Sequence, residues 1–240
     1  MTDILVTPEW LKARLGDPRV KVVDASWYLP AQNRDAKAEF LAGHIPGAVF
    51  FDIDAIADRS TDLPHMLPDE TAFAAAAGAL GLSNDDTIVV YDGMGFFSAP
   101  RVWWTLRVFG ASDVRILDGG LPAWDQAGYA KEAGETKPEP AHFVARFSPD
   151  KVVDFDGVRA ALRRGETVLD ARSTPRFRGE LPEPRPGLPS GHMPGALNLH
   201  YDALSDASGR LLAPEKIREL FEDAKVDLSS PVITTCGSGI

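Results

Sequence analysis

Gly43-His44-Ile45-Pro46-Gly47-Ala48 and Gly191-His192-Met193-Pro194-Gly195-Ala196 are one hexapeptide written twice, with Ile exchanged for Met. Working outward, each copy follows a short apolar run ending in Asp-Ala: Val22-Val23-Asp24-Ala25 and Val168-Leu169-Asp170-Ala171. Each is followed by a proline-led helical stretch, starting at Pro68 and at Pro214, and then by Asp92-Gly93 in the first copy and Cys236-Gly237 in the second. The partners stand 144 to 148 residues apart. Four landmarks in one order at a nearly constant offset mean two copies of one fold.

The segments between the landmarks give the fold class. Val20–Asp24, Val49–Phe51, Thr87–Tyr91 and Val114–Leu117 are short, β-branched and almost unbroken by polar residues, as strands covered on both faces are. Between them, Thr7 and Pro8 open a helix with Trp10, Leu11 and Leu15 on its stripe, Glu70–Leu80 is an alanine-rich helix closed by Gly81, and Ala99–Phe109 is a helix with Pro100 in its first turn. A polar loop is expected before Phe40. Strands alternating with helices imply an α/β fold of two domains, each a mostly parallel sheet flanked by helices. Residues 1–133 form the first domain and 150–240 the second. Gly134 to Pro149, with Lys137-Pro138-Glu139-Pro140 and no helical or strand period, reads as a linker. The first copy runs on for 32 residues beyond Asp92, to Trp124, whereas the second has four after Cys236. The second domain is therefore expected to be incomplete at its C-terminus.

Composition narrows the function. Lys and Arg number 25 against 35 Asp and Glu, for a net charge of -10, which argues against nucleic acid and against anionic membrane as partners. No stretch approaches the length of a membrane span, and MTDILVTPEW has neither a basic nor an apolar leader segment. One cysteine in 240 residues excludes an internal disulfide and suits a reducing, cytoplasmic compartment. No metal-ligand cluster or nucleotide loop is present, so no cofactor is expected.

That cysteine lies in Thr234-Thr235-Cys236-Gly237-Ser238-Gly239-Ile240, after the apolar run Pro231–Ile233. Glycines let such a loop curl so that successive backbone N–H groups converge on the sulfur, and a thiol in that ring would favour its thiolate. The alternative is a cysteine that is only a small buried apolar residue. The sequence pattern alone leaves both open.

The paired Phe40-x-x-x-His44-Ile45-Pro46-Gly47-Ala48 and Gly191–Ala196 motifs, the single cysteine in the second copy, Ser98–Trp104, Leu117–Gly120 and Arg176-Phe177-Arg178-Gly179 resemble the tandem-domain rhodanese family over essentially the whole chain. Cys236-Gly237-Ser238-Gly239 resembles the active loop of members that use 3-mercaptopyruvate; members that use thiosulfate usually carry Arg and Lys after the cysteine. The resemblance implies a catalytically silent first domain, with Asp92 at the nucleophile's position, and a site in the cleft between the domains. It implies Cys236 as the carrier of a persulfide, with Gly237, Gly239 and Ile240 cradling the anion, and Arg176 and Arg185 gripping the substrate's carboxylate and ketone. Ser238, His65 and Asp54 match residues proposed in the family as a proton relay; Asp54 and His65 serving only to tie down a loop is an equal alternative.

The sulfur donor would be a small molecule and the acceptor an external thiol, either a small one or a reduced protein such as thioredoxin, or cyanide. A thiosulfate sulfurtransferase is the nearest rival. A non-catalytic sulfur-carrying or binding fragment is another, because of the short second copy. His44 and His192, present in both copies, are expected to be structural, and Trp103 and Trp104 to be core.

Overall fold

The computed structural model describes residues 4–185 and 187–240; Met1–Asp3, read above with the residues that follow them, lie outside these. The chain divides into two compact units, Met1–Pro149 with Ala207–Arg210 and Ile240, and Asp150–Asp206 with Leu211–Gly239.

The first unit runs β1 (Leu5–Val6), α1 (Pro8–Lys12), β2 (Val20–Asp24), α2 (Ala36–Ala42), β3 (Val49–Phe50), α3 (Ile53–Ile56), α4 (Glu70–Ala79), β4 (Thr87–Tyr91), α5 (Ala99–Val108), β5 (Asp113–Leu117) and α6 (Gly120–Gln126). The five strands form one parallel sheet in the order β1-β5-β4-β2-β3. β4 lies at its centre, and Ile88, Val89, Val90 and Tyr91 are fully buried, which is why that run carries no polar residue. One layer of core joins Leu11, Phe40, Ile45 and Trp124 to Val22, Val89 and Tyr91. Phe73 and Phe109 stack at 4.1 Å between ring centroids, and Phe143 meets Phe73 edge-on.

The second unit runs α7 (Phe155–Arg164), β6 (Thr167–Asp170), α8 (Thr174–Phe177), β7 (Leu197–Asn198), α9 (Pro214–Asp223) and β8 (Val232–Thr235). Its parallel sheet has the order β7-β6-β8, as β3-β2-β4 do in the first unit. The registers repeat as well. Asp24 pairs with Phe50 and Tyr91, while Asp170 pairs with Asn198 and Thr235. These pairings carry the same drifting offset as the sequence landmarks. The second core is smaller: Ala161, Val168 and Ala196 with Val158, Leu162, Phe177, Met193 and Ile233 around them.

Some expectations need correction. The polar loop before Phe40 is helix α2, because Asp35 caps it by accepting from the Ala38 N–H at 2.9 Å and Ala, Lys, Glu and Leu favour helix. Leu5–Val6, too short to show a period, is a strand through pairing with Ile116 and Leu117. Arg176, whose segment was given no element above, sits on the one-turn helix α8, with Pro175 in its first turn. Trp103 and Trp104 are half-buried, and the tryptophan that fills the core is Trp124. Residues 141–148 are without helix or strand yet hydrogen-bonded along the first unit, through Ala141 N–H to Gly78 O at 2.9 Å and Arg146 N–H to Phe109 O at 3.0 Å.

Candidate active site

The loop after β4 shows what this turn is built to hold. Asp92 follows β4, is 1% exposed, and accepts five backbone N–H bonds: Met94 and Gly95 at 2.8 Å each on Oδ1, Phe97 at 2.7 Å and Ser98 and Ala99 at 2.9 Å each on Oδ2. The last of these are the free donors at the start of α5, which lacks a side-chain cap of its own. A strand, a tight loop and a helix start thus make a cradle for one anion, and in this copy the anion is a side chain.

Cys236 occupies the same position after β8. The Ala171 N–H bonds to Thr235 O at 2.8 Å, as Ala25 N–H does to Tyr91 O at 2.8 Å. The Gly239 N–H donates to Cys236 Sγ at 3.1 Å, matching the Gly95 N–H on Asp92. Gly239 has φ +76°, a left-handed conformation that any side chain would strain. Ser238 Oγ lies 4.0 Å from the sulfur, and Cys236 is half-buried, so the thiol is reachable.

Around this loop stands an ion network. Arg172, two residues past β6, grips Asp170 with Nε at 3.0 Å and Nη2 at 2.6 Å, and reaches Gly191 O at 2.8 Å and Glu183 Oε1 at 2.8 Å. Glu183, its side chain 5% exposed, also accepts from Arg176 Nη2 at 2.6 Å and Nε at 3.3 Å. The Arg176 guanidinium holds the Glu183 carboxyl below the usual carboxylate range. A Cβ on Gly237 would collide with Arg176 Nη2, so glycine here lets Arg176 lie against the backbone beside the sulfur. Arg185 Nη2 approaches Ser238 O at 3.5 Å. Burial raises the Tyr201 phenol, with the nearby Asp202 and Cys236 pushing the same way and Arg176 opposing them.

The structure therefore brings Cys236, Gly237, Ser238, Gly239, Arg176 and Arg185 together in the second unit. Asp54 and His65 pair in the first, His65 Nε2 and Asp54 Oδ1 lying 3.0 Å apart, and the Trp27 indole N–H donates to Asp54 Oδ2 at 3.0 Å. Arg101 donates to the His65 carbonyl, and His65 holds φ +56°, unusual for a residue with a side chain. Sequence reasoning missed Arg172, Glu183 and Tyr201. Glu183 alone had a signal: the Phe–His stack at the repeated motif is Phe40 on His44 in one unit and Phe177 on His192 in the other, at 4.0 Å and 3.8 Å. The second copy inserts eleven more residues between the two rings, and these carry Glu183 and Arg185. In both copies the histidine Nδ1 lies against the phenylalanine carbonyl, at 2.8 Å and 2.7 Å, which fits a structural part.

A parallel α/β sheet with a cysteine in a backbone anion loop is one way to hold a reactive sulfur, and a family model described as a rhodanese-like domain matches residues 7–127, in the first unit. The chain belongs to the rhodanese family. It is 44% identical over 243 residues to human 3-mercaptopyruvate sulfurtransferase, covering 98% of this chain and 82% of the human one. Thiosulfate/3-mercaptopyruvate sulfurtransferase 2 of Arabidopsis thaliana is 43% identical over 259 residues, with 98% of this chain and 75% of the plant protein covered. Among solved structures, SseA from Escherichia coli, described with the rhodanese fold of 3-mercaptopyruvate sulfotransferases, superposes with a TM-score of 0.92 at 39% identity, covering 100% of this chain and 90% of that one.

Proposed function

We propose that the protein is a 3-mercaptopyruvate sulfurtransferase in which Cys236 carries the sulfur. The observation that carries this is the Cys236 thiol on a backbone N–H loop, with Arg176 lying on Gly237, in a chain whose close relatives bear that activity. The Cys236 thiolate attacks the sulfur of 3-mercaptopyruvate. An S–S bond forms, the S–CH2 bond breaks with its electron pair moving to the organic fragment as an enolate, and protonation at carbon gives pyruvate. The N–H of Gly239, with Gly237 and Ile240 completing the loop, stabilises the persulfide anion, as the Asp92 cradle does for a carboxylate. Arg176 and Arg185 hold the substrate carboxylate and ketone oxygens, by forked hydrogen bonding that lysine does not copy.

With no second cysteine in the chain, an external thiol, small or borne by a protein such as thioredoxin, takes the sulfur away. Donor preference follows from the loop: Gly237 and Ser238 carry no cationic side chain, and Arg176, which lies on Gly237, is already paired with Glu183, which favours an organic keto acid over thiosulfate. Ser238, His65 and Asp54 are proposed to move the proton, and no helix among the described residues is long and apolar enough to cross a membrane. Two rhodanese-like domains, the first silent, are supported by the repeated strand order and by Asp92 filling its own cradle.

Intact mass before and after incubation with 3-mercaptopyruvate tests the reading. The expected result is a gain of one sulfur atom that Cys236→Ser abolishes and that thiosulfate produces more slowly. No gain in folded protein with either donor would overturn it.

A further inference from the structure

Glu183 is a carboxylate buried between two arginines, in a site whose substrate is itself a carboxylate. Taken alone it would be a poor neighbour for that substrate, since it occupies the arginine that should bind it. Its surroundings resolve this. Arg172 is fixed from behind by Asp170, whose side chain is 2% exposed at the end of β6, and by the Gly191 carbonyl. It then donates Nη1 to Glu183 Oε1. Glu183 in turn engages Nε and Nη2 of Arg176, one whole edge of the guanidinium. What remains for a ligand is the Nη1 end, with Nη2 backed against Gly237 next to Cys236. The charges also balance: Asp170 and Glu183 offset Arg172 and Arg176, and Arg185, which forms no ion pair among the described residues, is left as one net positive charge.

We propose that Glu183 is a positioning residue that fixes which edge of Arg176 meets the donor and, by cancelling its charge, sets the site for a singly charged keto acid rather than a dianion. The proposal rests on the sulfurtransferase reading above. A rigid fork loses little entropy on gripping a carboxylate, so a freed Arg176 would cost affinity for mercaptopyruvate. Thiosulfate has no carboxylate to register against that edge. As a dianion it would gain from the positive charge left on Arg176, which is three-quarters buried and so less screened than a surface charge.

The test is steady-state transfer to cyanide by the full chain and by Glu183→Gln, with each donor in turn. For the variant, KM for 3-mercaptopyruvate is expected to rise about tenfold or more, while kcat/KM for thiosulfate is unchanged or higher. In an Arg176→Gln background the same substitution should leave the donor ratio where Arg176→Gln alone puts it. Equal losses with both donors, an unmoved ratio, or a full effect that persists without Arg176 would overturn the assignment. If Glu183→Gln does not fold, Glu183→Asp decides, since it keeps the charge and withdraws the carboxylate by one methylene: a raised KM for mercaptopyruvate with thiosulfate turnover retained supports the proposal, and parallel loss overturns it. Wild-type protein that takes no sulfur from mercaptopyruvate would remove the activity itself and the proposal with it. Wild-type protein that loads normally beside an unmoved donor ratio removes only the role given to Glu183.

Discussion

Removing the carboxylate of Asp92 should unfold the first unit at a much lower denaturant concentration, although the proposed chemistry gives the residue no part. Its two oxygens receive five backbone N–H bonds, and the side chain is 1% exposed. A hydrogen bond to a charged acceptor contributes about 1.5–3 kcal/mol, so five set an upper bound of roughly 7–15 kcal/mol. The true cost is lower, because water entering the vacated space re-satisfies some donors and such bonds are not additive. Losing one partner of a buried charged cluster typically costs about 3–5 kcal/mol, and we take about 4 kcal/mol for Asp92→Ala. With a urea m-value of about 2 kcal/mol/M, the unfolding midpoint falls by about 2 M. The molecule supplies the probe: all five tryptophans lie between Trp10 and Trp124, so their fluorescence reports the first unit. A midpoint shift below about 0.5 M, or about 1 kcal/mol at that slope, would refute the claim that the loop is built around an anion.

Two further substitutions probe the second copy's chemistry and its proposed proton relay. Arg176→Lys keeps a charge but cannot offer Glu183 both Nε and Nη2 or present a planar end to substrate; KM for 3-mercaptopyruvate should rise roughly 10- to 100-fold, measured by pyruvate release, while Cys236 remains open to alkylation. Asp54→Asn separates the two readings of the His65 pair: as a relay it slows sulfur loading about 10²-fold with the urea midpoint little moved, and as a loop tie it lowers the midpoint and leaves the rate.

The repeat, the parallel α/β class and the strands Val20–Asp24 and Thr87–Tyr91 were legible in the sequence because a strand buried on both faces has to be apolar along its whole length. Cys236 was legible because it is alone and sits between a strand and glycines. Helix α2 was hidden by its polar residues, which are those that cap and solvate an amphipathic turn. Strand β1 was hidden because two residues carry no period and gain their conformation only from the edge of β5.

What the sequence by itself determined is the scaffold and the place of a candidate nucleophile: two copies of one α/β unit, a loop of glycines, and a cysteine in one copy where the other has Asp92. Those follow from local rules, such as which residues can lie in a buried strand and which backbone angles a cradle needs. What only the tertiary structure decided is the company that nucleophile keeps. Arg172, Glu183 and Arg176 are joined by hydrogen bonds between residues that no periodicity links, and Arg176 reaches Gly237 across sixty residues of chain. Ion pairing depends on distance in space and on the exclusion of water, and neither is written in the order of residues.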